Sequence, residues 1–517
     1  MKLRRSEFQA DLLIHLFFLL IQILLLLPNG LGQSGSTPAF VFPFFMLLSA
    51  ITVFRIYENQ ADFGSKLVFI PALFSIYVVG FCLINELGGD FWAFIVVRQF
   101  PVWLRTIWYQ SILLLLHPKM FSCVWNGASS LHREMERRGY YGKKMLCLFF
   151  IASMILWLVR SQNITPDGYD WMKHSAIPRN WANYLREPLG TLLFRLAAWG
   201  GMKWLHWDSY ISITVLTILC GCAAVWFMSQ VILRIVPKSY AGVVMALLIG
   251  SCGFSQVFAG NIEIYALLQV GLAAYLFFTV RYLEGRCPAW GAGLSFGILF
   301  CIHLSSAWWL PAFLMLPVLK SLRRGSWERL YEDAAWLIFG FFFFTIVFWL
   351  FVLFHRYEGQ AVWMFQHFWS DQVIFCGADG AMFHPLSVYF RADYYLEMFN
   401  EYFYLMPGML PLGIVFLGAW RSWGRMEPAM IWLIFMTGGY LIYSAAWHAD
   451  RPLTIDWDIF SGLTIPAGLT MTALITRLTL ARRTIEYILY QSAVLSLLYL
   501  TIQLLRNHAK ITDWPML

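Results

Sequence analysis

Charge is what this sequence has least of. Only 13% of its 517 residues are Asp, Glu, Lys or Arg, while 60% are hydrophobic and 18% aromatic. A soluble domain carries about 25% charged residues. That shortage excludes a disordered or fibrous chain and argues against a soluble enzyme of several domains. Also absent are a CxxC pair, any metal-like cysteine spacing, internal repeats and low-complexity tracts. Eight of the nine cysteines fall in or beside apolar runs, so they read as packing residues, and no disulfide framework is visible. Nor is there one large basic block. The 37 Lys and Arg outnumber the 29 Asp and Glu, for a net charge of +8, but they sit in small clusters between apolar runs. Such clusters mark membrane topology, and a nucleic-acid partner is not expected.

What is present is long apolar sequence. LFFLLIQILLLLP at 16–28 and FFFFTIVFWLFVLF at 341–354 are continuous, without the alternation of a membrane β-barrel. In lipid the remaining choice is the helix, because every backbone N–H and C=O must be satisfied internally. The expected fold class is an all-α polytopic membrane protein of about 15 transmembrane helices. We place these near 11–28, 39–55, 67–85, 99–117, 145–160, 209–235, 240–258, 264–282, 291–302, 306–320, 335–355, 401–420, 428–447, 459–476 and 484–505. The pair 291–302 and 306–320 is short enough to be one kinked unit. Residues 12–27 are long for a signal-peptide core and no small-residue cleavage site follows, so the first run is read as an uncleaved span.

With a cytoplasmic N-terminus, inner loops hold 24 basic residues against 11 in outer loops and span ends. This is the positive-inside bias, and it supports a multi-pass membrane protein with its N-terminus in the cytoplasm. The chain divides near 144, with a four-span region over 1–144, ending in a basic cytoplasmic loop, and the core over 145–517. Two outer segments, 161–208 and 356–400, exceed ordinary connection length, and such loops more often carry function. In the first, Trp171, Trp181 and Tyr184 among polar residues suit a helix lying in the interface.

The acidic residues follow this topology. Asp167, Asp170 and Glu187 fall in the first outer loop, and Glu263 opens the eighth span at its outer end. Asp371, Asp379, Asp393 and Glu397 lie in the second outer segment, and Asp450, Asp456 and Asp458 precede the fourteenth span. Segments far apart in sequence thus bring carboxylates to one membrane face, while mid-span positions are almost uncharged. A transporter places its ionisable groups nearer the midplane, on broken helices.

Each motif has a plain structural reading beside the chemical one. In Pro166-Asp167-Gly168-Tyr169-Asp170 a carboxylate at the water boundary can serve as general base, yet Pro-Asp-Gly is also a strong turn signal. In Arg186-Glu187-Pro188-Leu189, Pro188 suits a helix start and Glu187 its positive dipole end, while Arg186 offers a bidentate contact to phosphate. Glu263, next to Asn261 and Tyr265, either caps a helix or faces a polar cavity. Asp393, Glu397 and Asn400 share one helical face, directed to a cavity or to solvent, with Arg391 adjacent. Asp456 and Asp458 flank Trp457 after Arg451, so one can face the cavity while the other caps. His303, beside Ser305 and Ser306, either faces the same side or is a buried, hydrogen-bonded histidine. His367, Asp371, Asp379 and His384 offer ligands for a divalent cation, but their spacing matches no metal pattern.

A span, an outer loop opening with Asp167, an interfacial helix, and then Pro188-Leu189 entering the next span: this layout resembles the GT-C superfamily of membrane glycosyltransferases, which includes protein O-mannosyltransferases and aminoarabinose transferases. The likeness covers about 145–505. It implies a GT-C-like helical core and transfer of a sugar from a polyprenyl-phosphate donor to an acceptor glycan, lipid or protein at the extracytoplasmic face. It implies further that Asp167 is the base, with Asp170 the second acid. Arg186 or Arg451 would hold the phosphate, and Glu187, Glu263, His303, Asp393, Asn400, Asp456 and Asp458 would bind substrate. The chain departs from the family where Gly168 follows Asp167 in place of a second acid, and in the four spans before the core. Two other classes fit the same composition, a flippase for lipid-linked sugars and a non-catalytic scaffold of glycosyltransferase-like form.

Overall fold

The computed structural model describes residues 100–115, 120–127, 151, 154–158, 160, 168, 172, 187–259, 262–354, 386–418, 426–447 and 457–508. The expected spans at 11–28, 39–55 and 67–85, most of 145–160, and the division at 144 lie outside them. The regular elements among the described residues are helices, as the continuous apolar runs require.

After α1 (Val102–Leu115), α2 (Pro188–Gly200) starts with proline at its first position, where a missing N–H costs nothing. A π-helical turn, Gly201–Leu205, follows and stops at His206, whose φ is 56°. α3 (Ser209–Ile235) is capped by Asp208, whose carboxylate accepts from Ile211 N at 2.7 Å. α3 ends just before Pro237, which disfavours helix in the residue ahead of it. α4 (Ala241–Gly250) and the short α5 (Cys252–Ser255) meet at Ser251, where the helix bends by 74° and the Ser251 hydroxyl donates to Leu247 O. α6 (Tyr265–Leu283) and α7 (Ala289–Ile302) form a hairpin. A 3₁₀ turn over Leu304–Trp309, then α8 (Leu310–Leu314) and α9 (Leu316–Arg324), lead to α10 (Leu330–Phe354). α11 (Ala392–Leu405), α12 (Met409–Gly418), α13 (Pro428–Ala446), a 3₁₀ stretch over Trp457–Leu463, α14 (Thr464–Ile475) and α15 (Arg482–His508) complete the described chain.

Among the described residues six helices are long and apolar enough to cross a membrane, or seven if the bent α4–α5 pair counts as one span. The expected spans at 209–235, 264–282, 428–447, 459–476 and 484–505 are found almost at their expected bounds. Two others are corrected. The run 240–258 is broken at Ser251, and the run 401–420 is broken at 406–408 between α11 and α12. A hydropathy window averages over both breaks, although the second contains Pro407-Gly408, a turn signal in its own right.

α7 lies along α10, α3 along α6 and α4 along α15. The first contact is made through glycine: a Cβ on Gly293 would strike Leu337 O, and one on Gly340 would strike Trp290 O. The outer face of α10 stays bare, with Trp336, Phe339, Phe343, Ile346 and Val347 about half exposed, as lipid contact requires. The segment Asp458–Ile475, by contrast, has 89% of its residues buried inside the bundle.

The helix directions give the bundle two unlike ends. The end of α3, the start of α13 and the end of α14 meet where Arg477 reaches both Glu427 and Ile235 O. The starts of α2 and α6, the end of α7, the end of α13 and the approach to α14 meet at the opposite end.

Candidate active site

The second end is built around a histidine and a glutamate. Glu187 stands at the N-cap position of α2, yet its side chain caps nothing. Its Oε1 lies 3.0 Å from Nε2 of His303, the residue that closes α7. Nδ1 of His303 accepts the Ser305 N–H at 3.0 Å, so the ring proton is on Nε2 and is donated to Glu187. Ser306 closes the turn by donating its hydroxyl to His303 O at 2.8 Å.

Glycine lets these elements meet. A Cβ on Gly190, in the first turn of α2, would strike the Ile264 side chain and crowd Ile302 O. Those two residues flank Glu263–Tyr265 and His303. The bare Cα of Gly190 therefore seats the start of α2 against the starts and ends that carry the polar groups.

From His303 the polar contacts run on. The Tyr265 ring lies 5.4 Å from the His303 ring, tilted by 42°. The Tyr265 hydroxyl is within Coulombic range of Asp458, Glu187, Tyr443 and Glu263. Ser305 Oγ meets Tyr440 Oη at 3.4 Å, and Tyr440 donates to Ile459 O at 3.0 Å, next to Asp458. Trp309 stacks on Tyr440 with centroids 4.8 Å apart. Gln269, wholly buried, donates to Gly253 O at 3.0 Å and Ser461 O at 2.6 Å, fixing α5 and the 457–463 stretch to α6. Glu263 and Asp458 are both buried here.

Four of the expected site residues, Glu187, Glu263, His303 and Asp458, are thus gathered from four separate segments. His303 is buried and hydrogen-bonded, and it lies at the same end as Glu187. Asp167, Asp170, Arg186, Arg451 and Asp456 lie outside the described residues, as do His367, Asp371, Asp379 and His384. Among the described residues no three His, Cys, Asp or Glu side chains form a metal-binding group.

The face expected to carry Asp393, Glu397 and Asn400 is split, solvated at Asp393 and Glu397 and buried at Asn400. Asp393 is exposed and paired with Arg391, its Oδ1 accepting from Arg391 Nε at 3.0 Å, and Glu397 is exposed as well. The hydrogen bond from Arg391 holds the Asp393 carboxyl below its usual range. Asn400, by contrast, is buried. The inward face of α11 lies one residue further round, on Tyr394, Met398, Glu401 and Leu405. It is tied to the end of α13 by Tyr394 Oη, which donates to Ala445 O at 2.5 Å, and by Tyr402 Oη, 2.8 Å from Ser444 Oγ.

That register brings in residues missing from the expected set. Glu401 is wholly buried, Arg506 is buried near the end of α15, and the Tyr404 hydroxyl is within Coulombic range of Arg506, Glu401 and Asp458. The signals were a carboxylate on the apolar stripe of α11 and a basic residue at the outer end of the last span, against the positive-inside trend.

No family model matches the sequence, and no curated protein matches it. Among solved structures, ArnT from Cupriavidus metallidurans bound to undecaprenyl phosphate is similar over 71% of this chain and 78% of its own, with a TM-score of 0.47 and 11% identity. An Archaeoglobus fulgidus oligosaccharyltransferase, tethered to an acceptor peptide containing the NVT sequon, is similar over 71% of this chain and 55% of its own, with a TM-score of 0.39 and 12% identity. Both belong to the GT-C superfamily.

Proposed function

We propose that this protein is an integral membrane glycosyltransferase that moves a sugar from a polyprenyl-phosphate donor to an acceptor hydroxyl at the extracytoplasmic face. The observation that carries the reading is the meeting of Glu187, Glu263, His303 and Asp458, from four separate segments, at one end of the bundle. Most basic residues at the ends of the described spans lie at the other end, which the positive-inside bias assigns to the cytoplasm, with Arg506 an exception. A lipid-linked donor needs its site at such a membrane boundary, where the phosphate stays near water and the chain stays in lipid.

In this reading Asp167 takes the proton from the acceptor hydroxyl as its oxygen attacks the anomeric carbon, with Asp170 the second candidate. The bond from that carbon to the phosphate oxygen breaks, and its electron pair leaves with polyprenyl phosphate. Arg186 or Arg451 stabilises the departing phosphate by a charge-assisted contact. Glu187, Glu263, Asn400 and Asp458 orient the sugar or the acceptor, which is a glycan, a lipid or a protein.

The test is transfer of labelled sugar from polyprenyl-phosphate donors by the purified full-length protein, with donor binding measured separately. Asp167→Asn should still fold and bind donor while losing about 100- to 10,000-fold in rate. Arg186→Ala should weaken donor binding. Near-normal turnover in both Asp167→Asn and Asp170→Asn would remove the first loop from the chemistry. Absence of transfer with every donor, together with movement of lipid-linked sugar across proteoliposomes, would replace the reading with a flippase.

A further inference from the structure

The carboxylate of Glu187 is in an unusual place for what it does. An acidic residue at a helix N-cap ordinarily accepts a backbone N–H of the first turn, as Asp208 does from Ile211 at 2.7 Å. Glu187 makes no such bond at the start of α2 and turns instead to His303, 116 positions further along the chain. Helix stability therefore does not account for its orientation.

Nor can His303 act on substrate directly. Both of its ring nitrogens are engaged, Nδ1 by Ser305 N–H and Nε2 by Glu187, each at 3.0 Å. The Ser306 hydroxyl bond to His303 O and the Tyr265 ring beside the imidazole hold it in that orientation. A ring held in this way fixes one carboxylate oxygen of Glu187 and leaves the other oxygen's lone pairs to a further donor. The Glu187 side chain keeps 14% of its surface accessible, so the carboxylate is not sealed off from a ligand.

An ionised carboxylate is an acceptor only. It repels phosphate and takes O–H or N–H donors. Within the glycosyltransferase reading, on which this inference rests, the part of the donor that offers such groups is the sugar. We propose that Glu187 binds a hydroxyl of the donor's sugar ring and that His303 is the positioning residue that sets its carboxylate for that contact.

Two substitutions separate the roles of the ring nitrogens. His303→Asn places an amide oxygen near the Nδ1 position, so it keeps the Ser305 contact and loses the donor to Glu187. His303→Gln extends an amide N–H2 toward Glu187 and restores that donor. Binding of full-length protein in nanodiscs would be measured for undecaprenyl phosphate alone and for undecaprenyl-phosphate-linked mannose, glucose and arabinose. The unmodified protein should bind at least one sugar-bearing lipid about 10-fold or more tighter than the bare lipid, the scale of a hydrogen bond to a charged group. His303→Asn should lose that preference with bare-lipid binding unchanged, and His303→Gln should regain most of it. Should His303→Asn fail to fold, Glu187→Gln gives the same readout, because its amide oxygen still accepts from His303 while its charge is gone. Preference retained in both His303→Asn and Glu187→Gln, or equal binding of bare and sugar-bearing lipids by the unmodified protein, overturns the proposal and leaves the donor reading standing. Failure of the unmodified protein to bind any of these lipids overturns the donor reading itself.

Discussion

The two ends of the helix bundle handle charge differently. At the basic end each carboxylate below meets a full cation. Asp333 takes Lys320 at 3.1 Å and Arg324 at 2.6 Å, Glu427 takes Arg477 at 2.9 Å, and Glu486 takes Arg482 at 2.8 Å. Lys320 also lies 3.8 Å above the Tyr282 ring. At the other end Glu187 meets a histidine that donates one proton and is itself held by a backbone N–H. A charge closed by Lys or Arg has its chemistry used up in holding helices together. A carboxylate held by a singly protonated imidazole keeps its charge available to a ligand. The first end fastens helices with full ion pairs, and the second is the end to which the proposed function assigns the chemistry.

The sharpest way to break that comparison is at the fastening. Asp333→Ala leaves Lys320 buried without its carboxylate, and removing one member of a buried pair costs about 3–5 kcal/mol. We expect a large drop in the thermal midpoint of the solubilised protein, and recovery of most of it when Lys320→Met is added. An unchanged midpoint for the single variant would mean that the basic end does not hold the helices.

Next comes the junction that seats the working end. Gly190→Leu forces a side chain against Ile264 and Ile302 O, an overpacking that costs about 1–3 kcal/mol. Because it pushes α2 away from α7, it should also abolish whatever ligand binding depends on Glu187. Stability and ligand binding should fall together here, unlike in the Asp333 series. A loss of stability with binding intact would show that α2 need not approach α7 so closely.

At Glu187 the expected effect on stability is smaller still. Glu187→Gln keeps an acceptor for His303 and so should stay within about 1 kcal/mol, the net scale of one hydrogen bond. Ligand binding or transfer should fall markedly all the same. Equal behaviour of Glu187→Gln and the unmodified protein in both assays would make the two ends alike.

The smallest effect belongs to the exposed pair on α11. Asp393→Asn should leave both stability and activity within error, because exposed ion pairs contribute little. The sign with pH is fixed nonetheless. Its carboxyl is lowered by Arg391, so any stabilisation is present above the ordinary carboxylate range and lost as pH falls through the lowered value. A destabilisation that grows at neutral pH and vanishes in acid would be the trace of this pair.

Much of the fold was legible because lipid leaves few choices. Runs such as 209–235 and 428–447 are apolar throughout and bounded by Asp208, Pro237 and Pro428, so length and caps alone set the helices. The separation of basic from acidic ends was also legible, since each residue's position relative to its span can be counted. The break at Ser251 was not, because one small residue inside an apolar run gives no turn signal, whereas the break at 406–408 carries Pro407-Gly408, a turn signal that a hydropathy window passes over. On α11 the amphipathic pattern was visible but its register was not. Aromatic residues fill both sides of the helix, and only the contacts with Ala445 and Ser444 turn Glu401 inward and Asp393 outward.

By itself the sequence determined the all-helical membrane class, most of the described spans, and the candidate carboxylates Glu187, Glu263 and Asp458 at span ends. Those properties follow from local composition, which the bilayer reads one segment at a time. Only the tertiary structure decided that Glu187 reaches His303 and does not cap its own helix, that Gly190 permits that approach, and that Tyr265, Tyr440, Glu401 and Arg506 belong to the same end. Pairings across 116 residues depend on which helices lie side by side. Helix packing is set by bare glycine faces and by buried hydrogen bonds, which hydropathy along a single chain does not record.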